Sequence, residues 1–196
     1  DGFYVDDTLA AAVQTAEWRQ GDGYRLRASE PETSALAVAS SPGDAGDGPE
    51  APASLRTWMQ EHVSGSGGAA LEGLVALLRE RGYLSHALTD AQAQWMADAG
   101  VDTFVPSAAG HSLARIDQLF TALLDREQDP RAEASGNYVA AIGDDEQFSV
   151  AVALLARELG FPARIVVGAR MESADPDLAV CGDGACRADD LAAWVE

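Results

Sequence analysis

The chain has 196 residues, enough for one domain with a respectable core plus a small N-terminal element, and too few for two full domains. Its formal charge of -19, with all 13 basic residues being arginine, argues against nucleic acid or an anionic membrane surface as a partner, because neither is attracted to such a surface. No run approaches the roughly 20 apolar residues needed to cross a bilayer, and Asp1-Gly2-Phe3 does not begin a basic-then-apolar leader, so the chain is expected to be soluble, with no direct membrane insertion.

In chain order, Tyr24 to Ala28 alternates like a strand, and Ala35 to Ala39 reads as another. Ser40 to Pro52 is rich in Gly, Pro and acid with almost nothing to bury, which predicts a mobile linker or long loop. Ser54 is placed to cap a helix running to about Val63, ended by Ser64-Gly65-Ser66-Gly67-Gly68. A second helix over Ala69 to Arg81 carries Leu71, Leu74, Leu77 and Leu78 at helical spacing before Gly82. A third, over Ser112 to Leu124, has Leu113, Ile116, Leu119, Phe120 and Leu123 on one side. The most strongly bounded helix starts at Asp144 or Asp145, has an acidic first turn, runs to Leu159, closes at Gly160 and is prevented from resuming by Pro162. Strands are expected from Arg164 onward. Helices first and an antiparallel sheet later make an α+β arrangement.

Cys181 and Cys186 enclose Gly182-Asp183-Gly184-Ala185, a turn-rich segment read as a hairpin with a clasp. Directly opposed hairpin residues lie about 5.5 Å apart at Cα, within disulfide range, and so small a loop is worth about 2 kcal/mol in the chain-entropy model. Pair count and spacing favour the disulfide over two free thiols, and with it an oxidising, extracytoplasmic location. No second Cys pair or His pair exists to complete a zinc site there.

Asp144, Asp145 and Glu146 offer clustered oxygens for a hard cation, especially if Asp189 or Asp190 came close, but acids at a helix start are ordinary capping and dipole choices and the EF-hand spacing is absent. No metal or cofactor is expected. The histidines are three: His62 near a helix C-terminus, where positive charge is favourable; His86 in a loop-like stretch; and His111 just before a helix. His111 is the one to test for chemistry, as an acid/base couple with Asp145.

The segment Gly143-Asp144-Asp145-Glu146-Gln147-Phe148-Ser149, followed by Gly160-Phe161-Pro162-Ala163-Arg164, resembles the core of the transglutaminase-like family, relatives of papain, in which Gly-x-Cys-Glu-x-Phe-Ala opens a helix ending in Leu-Gly-Ile-Pro-Ala-Arg before a strand. The position implied for the nucleophilic cysteine holds Asp145. Leu191-Ala192-Ala193-Trp194-Val195-Glu196 is similar to the family strand reading His-Ala-Trp-Val-Glu, and Ala192 stands where the histidine is implied. A helix N-terminus and a nearby imidazole would stabilise a thiolate that attacks an acyl carbon, whereas a carboxylate is a poor nucleophile toward an amide and a methyl group moves no proton. Ser149 falls at a position usually small in the family, with no base identified for it.

The resemblance implies a transglutaminase-like or papain-like core over 53–196, preceded by an extension with linker over 1–52. Further family strands are implied after Glu196, so the polypeptide is expected to be cut from a longer protein. It is also similar to the extracellular transglutaminase-like domain of actinobacterial membrane proteins. These resemblances imply a pseudoenzyme facing the outside of the cell and recognising protein, peptide or cell-wall ligands, with cleft candidates Asp144, Asp145, Glu146, His111 and Trp194. Trp194 is expected to pack on the core, the alternative being a substrate-stacking role. The competing functions are an active acyl transferase or amide hydrolase with relocated catalytic groups, and a purely structural ectodomain.

Overall fold

A computed structural model of the chain describes residues 2–6, 11–17, 19, 35–84, 111–171, 173, 180–181, 185–187 and 190–196. The strand expected over Tyr24 to Ala28 lies outside them, as do His86 and Asp189. The chain divides into a small unit, 1–33, and a larger one, 34–196. In the small unit β1 (Phe3–Asp6) pairs antiparallel with β2 (Ala11–Gln14), and the Gly2 carbonyl accepts from the Thr15 amide and hydroxyl beyond the last rung.

In the larger unit, four helices supply the core: α1 (Ala53–His62), α2 (Gly67–Arg81), α3 (Leu113–Glu127) and α5 (Asp145–Glu158). The first three each contribute one apolar stripe at i, i+3, i+4 spacing: Leu55 and Trp58 from α1, Leu71, Leu74 and Leu78 from α2, and Ile116, Phe120 and Leu123 from α3. Helix α5 differs because Val150 to Ala156 is apolar on every side, and Ala151 through Ala156 are all buried. A helix apolar all round belongs in the middle of a fold, which places the helix carrying the acidic motif at its centre.

Around these helices lie short ladders. β3 (Gly82–Leu84) runs parallel to β4 (Ala141–Gly143), and β5 (Ile165–Ala169) runs antiparallel to β6 (Leu191–Val195). The α+β class stands, with one parallel ladder among the described strands beside the antiparallel pairing expected.

Several local expectations change. Leu36–Val38 forms a single 3-10 turn instead of a strand over Ala35 to Ala39. The turn sits on the start of α2: the Gly68 amide donates to the Ala39 carbonyl, and a Cβ on Gly68 would overlap the Leu36 carbonyl oxygen, so a glycine there permits the contact. Helix α1 starts after Pro52, and Ser54 is not its cap; its hydroxyl bonds the Asp117 carboxylate at 2.7 Å and so links α1 to α3. Ser112 occupies the N-cap position of α3 without a side-chain cap bond.

The segment Ser40 to Pro52, expected as a mobile linker, is strapped to the end of α5. Arg157 donates to the carbonyls of Ala45 (2.7 Å) and Gly46 (2.8 Å), the Gly43 amide donates to the Gly160 carbonyl, and Ala51 joins the core. Backbone carbonyls, which every residue offers whatever its side chain, hold a stretch that has little apolar surface to bury.

A helix absent from the sequence reading, α4 (Pro130–Ser135), follows α3 directly. Asp129 caps it by accepting from the Arg131 amide at 2.9 Å, and Gly136 at φ +68° ends it. Hydrogen bonds from the Arg131 side chain and amide hold the Asp129 carboxyl down at about 2, against a partial cost of desolvation. A carboxyl depressed in the folded state contributes fully above its ordinary value near 4 and loses that contribution as pH falls toward about 2. Thermal melts of wild type and Asp129→Asn between pH 5 and pH 2 are therefore expected to converge as pH falls, since Asn keeps the cap but not the titrating charge.

Candidate functional site

The N-terminus of α5 is built by its sequence. Asp144 is in extended conformation and its Oδ1 accepts from the Gln147 amide at 2.7 Å, so Asp144, not Asp145, is the cap. A Cβ on Gly143 would come within 2.8 Å of the Gln147 side-chain oxygen, so a larger residue where β4 turns into the helix would have to displace the end of that side chain. At the other end Gly160 sits at φ +79°, with the Phe161 amide bonded to the Ala156 carbonyl and the Gly160 amide to that of Arg157. This is the paired-bond Schellman ending, and Phe161 packs against the core as that motif favours.

Capping occupies Asp144, and Asp145 instead crosses to β6: its Oδ2 accepts from the Ala193 amide at 2.6 Å. Strand register explains why that amide is available. Arg164 and Glu196 exchange both backbone hydrogen bonds, and the Cα partners run Val166 with Trp194, Val167 with Ala193, and Gly168 with Ala192. Bonded pairs alternate along an antiparallel ladder, so Ala192 and Trp194 bond to β5 while the Ala193 N–H points away from it. The Asp145 carboxylate satisfies that outward N–H, which belongs to the peptide joining Ala192 to Ala193. Asp145 and Ala192, where the sequence resemblance implies a cysteine and a histidine, are thus neighbours in space, linked through a carboxylate-to-backbone bond.

The other candidates divide. Glu146 is exposed at the helix start and meets His111, whose Nδ1 lies 3.3 Å from its Oε2, so His111 couples to Glu146 and not to Asp145 as expected. Both side chains are about half exposed, and an ion pair in that setting is worth little. Ser149 is buried at 2 % exposure inside α5, out of reach of an incoming substrate. Asp190 accepts from the Arg187 amide in its own turn at 2.7 Å.

Trp194 does not pack in the core. It lies on the opposite strand face, with its ring edge over Gly168, where an added Cβ would be 3.3 Å away, and the Arg170 guanidinium stacked at 4.6 Å. Its indole N–H donates to Glu196 Oε1 at 2.9 Å, and Arg164 bonds the other oxygen of the same carboxylate at 2.6 Å. Hydrogen bonding from Trp194 and then from Arg164 lowers the Glu196 carboxyl below its ordinary value. The Pro-Ala-Arg and Trp-Val-Glu segments, 32 residues apart, are thereby ends of one interaction. The Arg170 stack is absent from the sequence reading, although alternation along Arg164, Val166, Gly168 and Arg170 places it on the Trp194 face.

Cys181 and Cys186 are bonded, with Cα atoms 4.6 Å apart, and the Cys181 amide donates to the Arg170 carbonyl at 2.8 Å. The amide bond places the Cys181 end of the disulfide beside Arg170, next to the end of β5. No described helix is long and apolar enough to cross a membrane.

No curated protein and no solved structure matches the chain. A family model does match, over α3 to β6 and without α1 and α2: residues 112–196 correspond to the transglutaminase-like superfamily, whose α+β character this fold shares.

Proposed function

We propose that this is a noncatalytic transglutaminase-like domain, facing the outside of the cell, that recognises a protein, peptide or cell-wall ligand through the region where a catalytic relative would carry out acyl transfer. The reading rests on the 2.6 Å bond from the Ala193 amide to Asp145. An acyl-transfer nucleophile needs an unshared electron pair aimed at substrate and a base beside it. Here one carboxylate oxygen is engaged by backbone, and Ala192 brings no base. The disulfide supports an oxidising location. An acidic helix start in a chain of charge -19 favours amine-bearing or basic ligands.

Incubating the unmodified protein with a primary-amine donor and a glutamine-bearing protein, and separately with a broad peptide set, is expected to give no turnover. Robust turnover that disappears in Asp145→Ala would refute the proposal in favour of an enzyme with relocated groups. A second reading, a purely structural ectodomain, is favoured by the fact that Asp145 bonds the protein's own strand. It is separated from recognition by substituting exposed Glu146 and His111: a recognition surface loses ligand affinity, and a scaffold loses nothing.

A further inference from the structure

Outside the motif region, the ends of α1 and α3 bring together one imidazole and two carboxylates. Glu61, His62 and Glu127 each offer a ligand atom within 4.8 Å of the other two. His62 Nε2 is already 2.9 Å from Glu127 Oε2, near the roughly 3.3 Å that separates ligand atoms around a tetrahedral ion with bonds of about 2.0 Å. We propose that these three side chains bind one divalent transition-metal ion of the zinc class, which ties the end of α1 to the end of α3.

Three features favour an ion over a simple His–Glu hydrogen bond. First, two carboxylates converge on one imidazole, and a dication held between them offsets their repulsion. Second, the surroundings orient the ligands. The Glu127 Oε1 atom is buried without a hydrogen-bond partner and faces Arg81 Nε at 3.8 Å, which leaves Oε2 directed at His62. Arg81 is itself held over the Tyr138 ring at 4.2 Å, and the Trp58 ring packs 5.0 Å from that of His62, restricting its rotation. Support of this kind around metal ligands fixes their geometry. Third, a cavity of about 320 Å³, lined in part by His62, Ser64, Leu77 and Glu80, lies beside His62, so one of the three ligands borders open space. One imidazole with two carboxylates suits zinc, manganese or cobalt better than calcium, which prefers six or more oxygens.

The test is titration of metal-stripped protein with zinc chloride alone, followed by calorimetry and thermal melting, with calcium chloride in parallel. One equivalent of zinc is expected to saturate the protein and raise its melting temperature, and calcium at equal concentration to do neither. Glu61→Gln, an exposed position, is expected to leave the metal-free melting temperature unchanged and to weaken zinc binding by more than the roughly tenfold at which even outer-shell changes begin to register. His62→Gln should abolish the one-equivalent event. Absence of saturable binding at one equivalent overturns the proposal. So does an affinity unchanged in Glu61→Gln, which would put the zinc on other surface carboxylates; this arm is decisive even if His62→Gln fails to fold.

Discussion

Replacing Trp58 by alanine is expected to lower the unfolding free energy by about 3–5 kcal/mol. Trp58 is fully buried on α1, its ring tilted at 60° against Phe120 of α3 with centroids 5.3 Å apart and packed beside His62. The substitution removes the largest buried side chain of the core and leaves a cavity between two helices whose positions are set elsewhere, so collapse can recover only part of the lost contact. Since a domain of this size has a total stability of roughly 5–15 kcal/mol, a large share of it is at stake. Urea denaturation followed by far-ultraviolet circular dichroism checks this without relying on the fluorophore that is deleted. Trp58→Phe, which keeps most of the apolar volume, should cost markedly less. A midpoint for Trp58→Ala equal to wild type would mean that α1 does not pack on α3 through this ring.

Asp145→Ala is the second large effect, expected at about 1.5–3 kcal/mol, the range for a hydrogen bond to a charged group. Two contributions act in the same direction. The buried Ala193 N–H loses its acceptor, and the first turn of α5 loses a carboxylate that complements the helix dipole. Asp145→Asn keeps an acceptor but not the charge and should recover part of the loss. Amide hydrogen exchange at Ala193 provides a direct reading: protection should fall sharply in Asp145→Ala, while amides of β5 bonded to β6 change less. Unchanged protection would show that the N–H does not depend on this carboxylate. The same result bears on any test of the proposed noncatalytic reading, because Asp145→Cys combined with Ala192→His would place a sulfur and an imidazole at these positions while removing the acceptor that fastens β6 to α5. Stability of that double variant must be measured before any lack of turnover is attributed to chemistry.

The limits of α5 are legible in the sequence because they rest on interactions within a few residues. Asp144 reaches an amide three positions ahead, and Gly160 adopts a backbone conformation open to a residue without Cβ. The Cys181–Cys186 pairing is legible for the same reason, five residues of chain being enough to bring the two together. Helix α4 carries comparable signals in Asp129, Pro130 and Gly136, yet six residues leave too little room for an apolar period to show. At Ser54 and the Leu36 turn a local preference loses to a distant partner: Asp117 in the first case, the start of α2 in the second.

By itself, then, the order of residues determined the central helix with its cap and stop, the α+β class and the disulfide. Only the tertiary structure decided where the polar side chains go. Asp145 meets an amide 48 residues away, Arg157 meets carbonyls more than 110 residues away, His111 meets Glu146, and His62 meets Glu127. A carboxylate or guanidinium has several acceptable partners of equal chemistry. Which one it takes depends on which backbone groups the packing of α1, α2, α3 and α5 leaves unsatisfied within reach, and that choice is not written in the few residues on either side.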